Sequence, residues 1–117
     1  MGPLFINLDK DFEMAKRIIF DALGLEHILE GDSLNVLNGT YFEAGVFGMY
    51  IKLEQNSYEY EDDFNYTLFV DRDYSSSVKL TRDIEETMLN LVMKLLLVNL
   101  NIKIGIEKNN SLQIISP

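Results

Sequence analysis

The stretch that decides the fold class is Phe47-Gly48-Met49-Tyr50-Ile51-Lys52-Leu53-Glu54. Phe47, Met49, Ile51 and Leu53 alternate with Gly48, Tyr50, Lys52 and Glu54, the period of two that marks a strand with one buried face. A turn region containing Asn56, Ser57, Glu61 and Asp62 follows, and leads into Phe64 to Asp71, rich in aromatic and β-branched residues. These two segments are expected to pair.

Working outward, Ser33 to Leu37 and Thr40 to Glu43 flank Asn38-Gly39, a strong short-range hairpin signal. A helix is predicted over Asp9 to Leu23: Phe12, Ala15, Ile19 and Ala22 recur at helical spacing, widened by Ile18 and Leu23. Asp9, Asp11 and Glu13 suit its positive end, and Gly24 is expected to stop it. A second helix is predicted over Thr81 to Val98, with Thr81 as N-cap and Asp83, Glu85 and Glu86 in its first turn. Its apolar side runs Ile84, Met88, Leu91, Val92, Leu95, and its polar stripe is narrow, so most of its surface is expected to be covered. Asn101 to Glu107 and Ser111 to Ile115 bracket Lys108-Asn109-Asn110 as a last hairpin. The expected order is αββββαββ: one α+β domain over residues 1–117, with two helices on one face of an antiparallel sheet of about five to six strands.

Composition excludes several function classes. The 117 residues carry 19 acids and 10 bases, one His and no Cys, for a formal net charge of −9. The lack of Cys excludes disulfides, thiolate metal sites and a Cys nucleophile. The negative charge argues against sequence-independent nucleic-acid binding, which needs Lys and Arg at phosphates. Asp9 interrupts the N-terminal apolar run, so no signal peptide is expected. Gly2 raises the question of N-myristoylation, but neither Ile6 nor Asn7 supplies the Ser or Thr that signal wants. Met88 to Leu100, the longest apolar stretch, is too short to span a bilayer and contains Asn90, Lys94 and Asn99. No membrane association is expected, and the cytoplasm is the default compartment.

Motifs for chemistry fail when tested. Asp71-Arg72-Asp73-Tyr74-Ser75 begins like a calcium loop, but Ser76 replaces its turn glycine and Arg82 its bidentate Glu. His27 with Glu26 and Glu30 is thin for a metal site. His27 also lacks a nucleophile elbow to serve, and Gly45-Val46-Phe47-Gly48 reads as a bulge or bend between strands rather than a phosphate loop. Paired carboxylates are unavoidable among 19 acids. No catalytic residue, metal or cofactor is expected, and a binding protein is favoured over an enzyme.

The charge is unevenly placed. Residues 38–74 hold eight acids and two bases, whereas residues 75–117 hold four acids and five bases. Glu54, Glu59, Glu61, Asp62 and Asp63 form the densest part, and Asp71 and Asp73 follow the pairing strand. Tyr50, Tyr58, Tyr60, Tyr66 and Tyr74 fall in the same region. Tyr58-Glu59-Tyr60-Glu61, if extended, puts Tyr on one side and Glu on the other. Taken singly, each acid reads as a solvated turn residue and each Tyr as a strand residue. Taken together, Glu54, Tyr58, Glu59, Tyr60, Glu61, Asp62, Asp63, Tyr66, Asp71 and Asp73 read as a surface for a cationic protein partner. Tyr supplies contact area there, and the carboxylates steer encounter.

A small, Cys-free, acidic α+β chain with a Tyr/Asp/Glu-rich hairpin resembles the immunity proteins of bacterial toxin systems, including those of contact-dependent growth inhibition. The resemblance covers the whole chain in size and character and rests on no shared motif, so no family residue is carried over by position. It implies a cognate toxin domain, often a basic nuclease, that the protein binds and blocks, its hairpin carboxylates occupying the ground of the nuclease's phosphates. The chain is also similar to secretion chaperones of the type III kind, which run helix, three strands, helix, two strands. Those usually add a final helix after the last strand and dimerise; the sequence offers no segment for that helix, although the broad apolar surface of the second helix suits a homodimer. An adaptor unrelated to toxins is a third reading.

Overall fold

The structure, a computed structural model, describes residues 3–116; Met1, Gly2 and Pro117 lie outside the described residues, and with them the myristoylation question at Gly2. In chain order the elements are β1 (Leu4–Ile6), α1 (Phe12–Ala22), β2 (Leu29–Asp32), β3 (Thr40–Val46), β4 (Met49–Gln55), β5 (Tyr66–Arg72), α2 (Arg82–Leu100), β6 (Ile104–Lys108) and β7 (Ser111–Ile115). The seven strands form one antiparallel sheet in the order β2-β3-β4-β5-β1-β6-β7. The α+β class holds, with a strand count slightly above the expected one.

The expected pairing of the two central segments is the longest ladder of the sheet, running from Met49↔Arg72 to Gln55↔Tyr66. Ile51, Leu53, Leu68 and Val70 point to one face, with Leu4, Ile6, Phe42, Ala44 and Ile104, and there they meet Ala15, Ile19 and Phe20 of α1 and Val92 and Leu96 of α2. This face is the core. Asp11 caps α1 by accepting from the Met14 amide at 2.8 Å, so the helix starts three residues later than Asp9. It stops where the sequence placed its glycine: Gly24 (φ 70) donates to Asp21 O and Leu25 to Phe20 O, a paired closure of the last turn. Thr81 caps α2 by accepting from Ile84 N.

Four expectations are corrected. The first is β1, whose three residues enter between β5 and β6 with Leu4 opposite Leu68 and Ile6 opposite Ile104. The second is the Asn38-Gly39 hairpin: β3 pairs with Leu29–Asp32 instead of Ser33 to Leu37, and Asn38 and Gly39 place their positive φ values (62 and 80) in a 3-10 turn within the longer connection. The two-residue hairpin turn sits at Phe47-Gly48, between Val46 and Met49, both turn residues having positive φ (48 and 78) as the right-handed strand twist requires. That turn replaces both the expected bulge and the strand start at Phe47. The last correction concerns α2. Its buried residues are Val92 and Leu96, while Ile84 and Leu91 are more than two-fifths exposed. Ile84, Leu91, Leu95 and Val98 therefore form a stripe beside the core face, at spacings of seven, four and three, while Met88 packs against the core.

Candidate functional site

The face of the sheet away from the helices carries the alternate residues of each strand. One row across it reads Glu54, Thr67, Phe5, Gly105, Ile114, each opposite the next on a neighbouring strand. Residues 56–65, which join β4 to β5, fold back over part of this row. Tyr60 packs edge-on to Phe5 with ring centroids 5.2 Å apart, Phe64 lies 6.0 Å from Phe5, and Tyr58 lies 5.5 Å from Phe69. Gly105 makes the fit possible, because a Cβ there would stand 3.0 Å from both Phe64 Cζ and Leu112 Cδ1.

Two asparagines hold the loop down. Buried Asn56 donates from Nδ2 to Glu59 O at 2.9 Å and Phe64 O at 2.8 Å, and its Oδ1 accepts from Tyr58 N at 2.9 Å. Asn65 exchanges two bonds with the backbone of Leu8, donating to its carbonyl at 2.7 Å and accepting from its amide at 3.0 Å. The segment is not extended, since Tyr60 has φ 62. Its sidedness nonetheless follows the expected pattern: Tyr58 and Tyr60 turn onto the sheet, and Glu59 and Glu61 are exposed with Asp62 and Asp63.

The remaining proposed site residues divide. Glu54 is 1% exposed, and its Oε2 lies 3.1 Å from Lys52 Nζ. The Lys52 ammonium also sits over the rings of Tyr41 (5.4 Å) and Phe69 (5.5 Å). Tyr66 does not share this surface: it is 4% exposed, lies on the core face stacked with Phe12, and donates its hydroxyl to Lys10 O. Asp71, opposite Tyr50, and Asp73, beside the Phe47-Gly48 turn, belong to the far end of β5. Ser75 donates to Asp73 from both its hydroxyl and its amide, which pulls the Asp73 carboxyl below its ordinary value.

A cavity of about 270 Å³ opens on this outer face, lined chiefly by Tyr41, Glu43, Tyr50, Lys52, Glu54 and Tyr58. Burial and then the Glu54 charge push the Tyr58 phenol up; burial and then Asp71 do so for Tyr50. For Lys52, burial works against the charge, but the hydrogen bond and charge of Glu54 outweigh it and raise the ammonium. Of these six residues, sequence reasoning placed only Glu54 and Tyr58 in the site. Tyr41 and Glu43 share the polar phase of β3, as Tyr50, Lys52 and Glu54 share that of β4, and pairing those phases finds the cavity wall.

Among the described residues, no group of three His, Cys, Asp or Glu could hold a metal ion, and no helix is long and apolar enough to cross a membrane. No family model, curated protein or solved structure matches the chain.

Proposed function

We propose that this protein is an immunity-type inhibitor, and not an enzyme, that binds and blocks a cognate basic bacterial toxin domain, a nuclease being the chemistry that its carboxylates would mimic. The observation that carries this reading is the loop 56–65. Its aromatic residues are anchored on the sheet, and Glu59, Glu61, Asp62 and Asp63 are left exposed on a backbone that Asn56 and Asn65 hold in place. Carboxylates on a preorganised frame steer a cationic partner without the ordering cost of a flexible acidic tail. The partner set is thus a basic protein domain in the cytoplasm, with no role for nucleic acid or membrane. The test is co-expression with a basic C-terminal domain encoded in the adjacent upstream frame: growth is expected to be rescued, and arrest despite abundant folded protein defeats the proposal. Glu59→Gln, Glu61→Gln, Asp62→Asn and Asp63→Asn together should slow association more than they speed dissociation. Unchanged association rates at low salt would remove the loop from the interface.

The second reading, a secretion-type chaperone or an adaptor working as a homodimer, is favoured by the stripe Ile84, Leu91, Leu95 and Val98 outside the core, whose spacings of seven, four and three are those of a helix-pairing seam. Sedimentation of the free protein separates the readings: a dimer dispersed by Leu91→Glu supports the second, and a monomer the first.

A further inference from the structure

The outer face of the sheet holds a carboxylate that the described residues satisfy at one oxygen only. Glu54 Oε2 receives the Lys52 ammonium and the Tyr58 phenol stands near the carboxylate, whereas Glu54 Oε1 is buried and makes no hydrogen bond among the described residues. The residue stands in the wall of the 270 Å³ cavity, beside Tyr41, Tyr50 and Tyr58. A buried anionic oxygen without a donor is strongly unfavourable, and a donor brought to the cavity would complete it once the Glu54 carboxylate turns toward the opening.

We propose that this cavity receives the guanidinium of an arginine side chain from the partner, with Glu54 as the accepting carboxylate and the tyrosine rings as its walls. The inference rests on the reading of the protein as a binder of a cationic domain, and names the side chain recognised at one point of that contact.

Three features select a guanidinium. The charged lining residues are Glu43, Glu54 and Lys52, which leave one negative charge uncompensated. The compact ammonium position is already filled by Lys52, held between Glu54 Oε2 and the rings of Tyr41 and Phe69, so a second ammonium would meet it at close range. A guanidinium is planar, spreads its charge, is weakly hydrated, donates along its edge and stacks its face on an aromatic ring. The Tyr41 wall depends on Gly31, its cross-strand partner, because a Cβ at that position would collide with the Tyr41 ring. The outermost strand therefore carries its glycine where the tyrosine lies flat.

The experiment is a nuclear magnetic resonance titration of the whole chain with Nα-acetyl-arginine amide, using the matching citrulline and lysine compounds as controls. Amide shifts are expected at Tyr41, Lys52, Glu54 and Tyr58, with the lysine compound binding roughly tenfold more weakly and citrulline, which lacks the charge, producing none. Glu54→Gln is expected to abolish the shifts. Because that change disturbs a buried ion pair, Gly31→Ala is the second variant: it leaves Glu54 in place, displaces the Tyr41 ring, and is expected to weaken arginine binding several-fold. Equal shifts from citrulline overturn the proposal, as do shifts confined to Glu59–Asp63 or arginine binding retained in both variants. Absence of any shift assigns the cavity to water alone. The amide substitutions in the loop keep the two readings apart. Arginine shifts that survive them while partner association is unaffected uphold the cavity and remove the loop; loss of association without arginine shifts does the reverse.

Discussion

Thr67 lies directly opposite Glu54 on the β4–β5 ladder, and the two residues bury side-chain oxygens, Oγ1 and Oε1, that have no hydrogen-bond partner among the described residues. Two such atoms on directly paired residues mark the least satisfied point of the sheet among the described residues. The two differ in consequence. A hydroxyl can be replaced without loss of shape, and a carboxylate holding a lysine cannot.

Thr67→Val keeps the β-branched outline and removes the unsatisfied hydroxyl. The expected result is stabilisation by about 1 kcal/mol, read as a higher urea midpoint at an unchanged slope. A loss of similar size would mean that the hydroxyl has a partner in solution.

Lys52→Met takes the ammonium from Glu54 and leaves a buried charge alone. The expected cost is ~3 kcal/mol, toward the low end for a broken buried pair because Lys52 is itself about a quarter open to solvent. Adding Glu54→Gln should recover a large part of that loss, and a double-mutant cycle measures the coupling. Simple additivity of the two changes would contradict the pairing.

Asn56→Ala removes three hydrogen bonds that close the loop over the sheet. A global cost of about 2 kcal/mol is expected, with a larger rise in hydrogen exchange at the Asn56 and Phe64 amides, which donate to Asn65 O and Tyr60 O. Uniform loss of protection across the sheet would show instead that the loop opens only when the whole domain does.

The pH response should be one-sided. Tyr50, Tyr58 and Tyr66 are held above the ordinary phenol value by burial and then by Asp71, Glu54 and Asp11 respectively, and Lys52 is held above its own ordinary value as described. Each group keeps its proton in the folded chain at pH values where the unfolded chain has released it. The stability this contributes is complete below about pH 10 and is lost as pH rises through the folded values. Urea midpoints should fall above about pH 10, and Tyr58→Phe should lessen the fall. A flat profile there would contradict the shifts.

Elements specified by local chemistry were legible in the sequence. Thr81 and Gly24 end their helices as capping residues do, and the alternation from Met49 to Leu53 records a half-buried strand. Tyr66 shares the phase of Leu68 and Val70, so the same alternation already placed it in the core, and its grouping with the acidic residues overlooked that phase. The burial of Glu54 was a different matter: its strand position is polar, and the groups around it, Tyr41, Lys52 and Tyr58 among them, come together only in the folded sheet. Nor could the α2 faces be separated by periodicity, since both the core side and the outward stripe are apolar. β1 was missed because three residues carry too little pattern; its strand form comes from neighbours far along the chain.

That distance gives β1 a temporal meaning. Leu4 pairs with Leu68 and Ile6 with Ile104, so this strand is synthesised before either of its neighbours and must wait for both. β2 to β5 can assemble as a meander of successive hairpins, and β6 with β7 as another, while the contacts that join them span most of the chain and close late. The first strand made is therefore the keystone set last, and until it is seated the facing edges of β5 and β6 remain open to strands from other molecules.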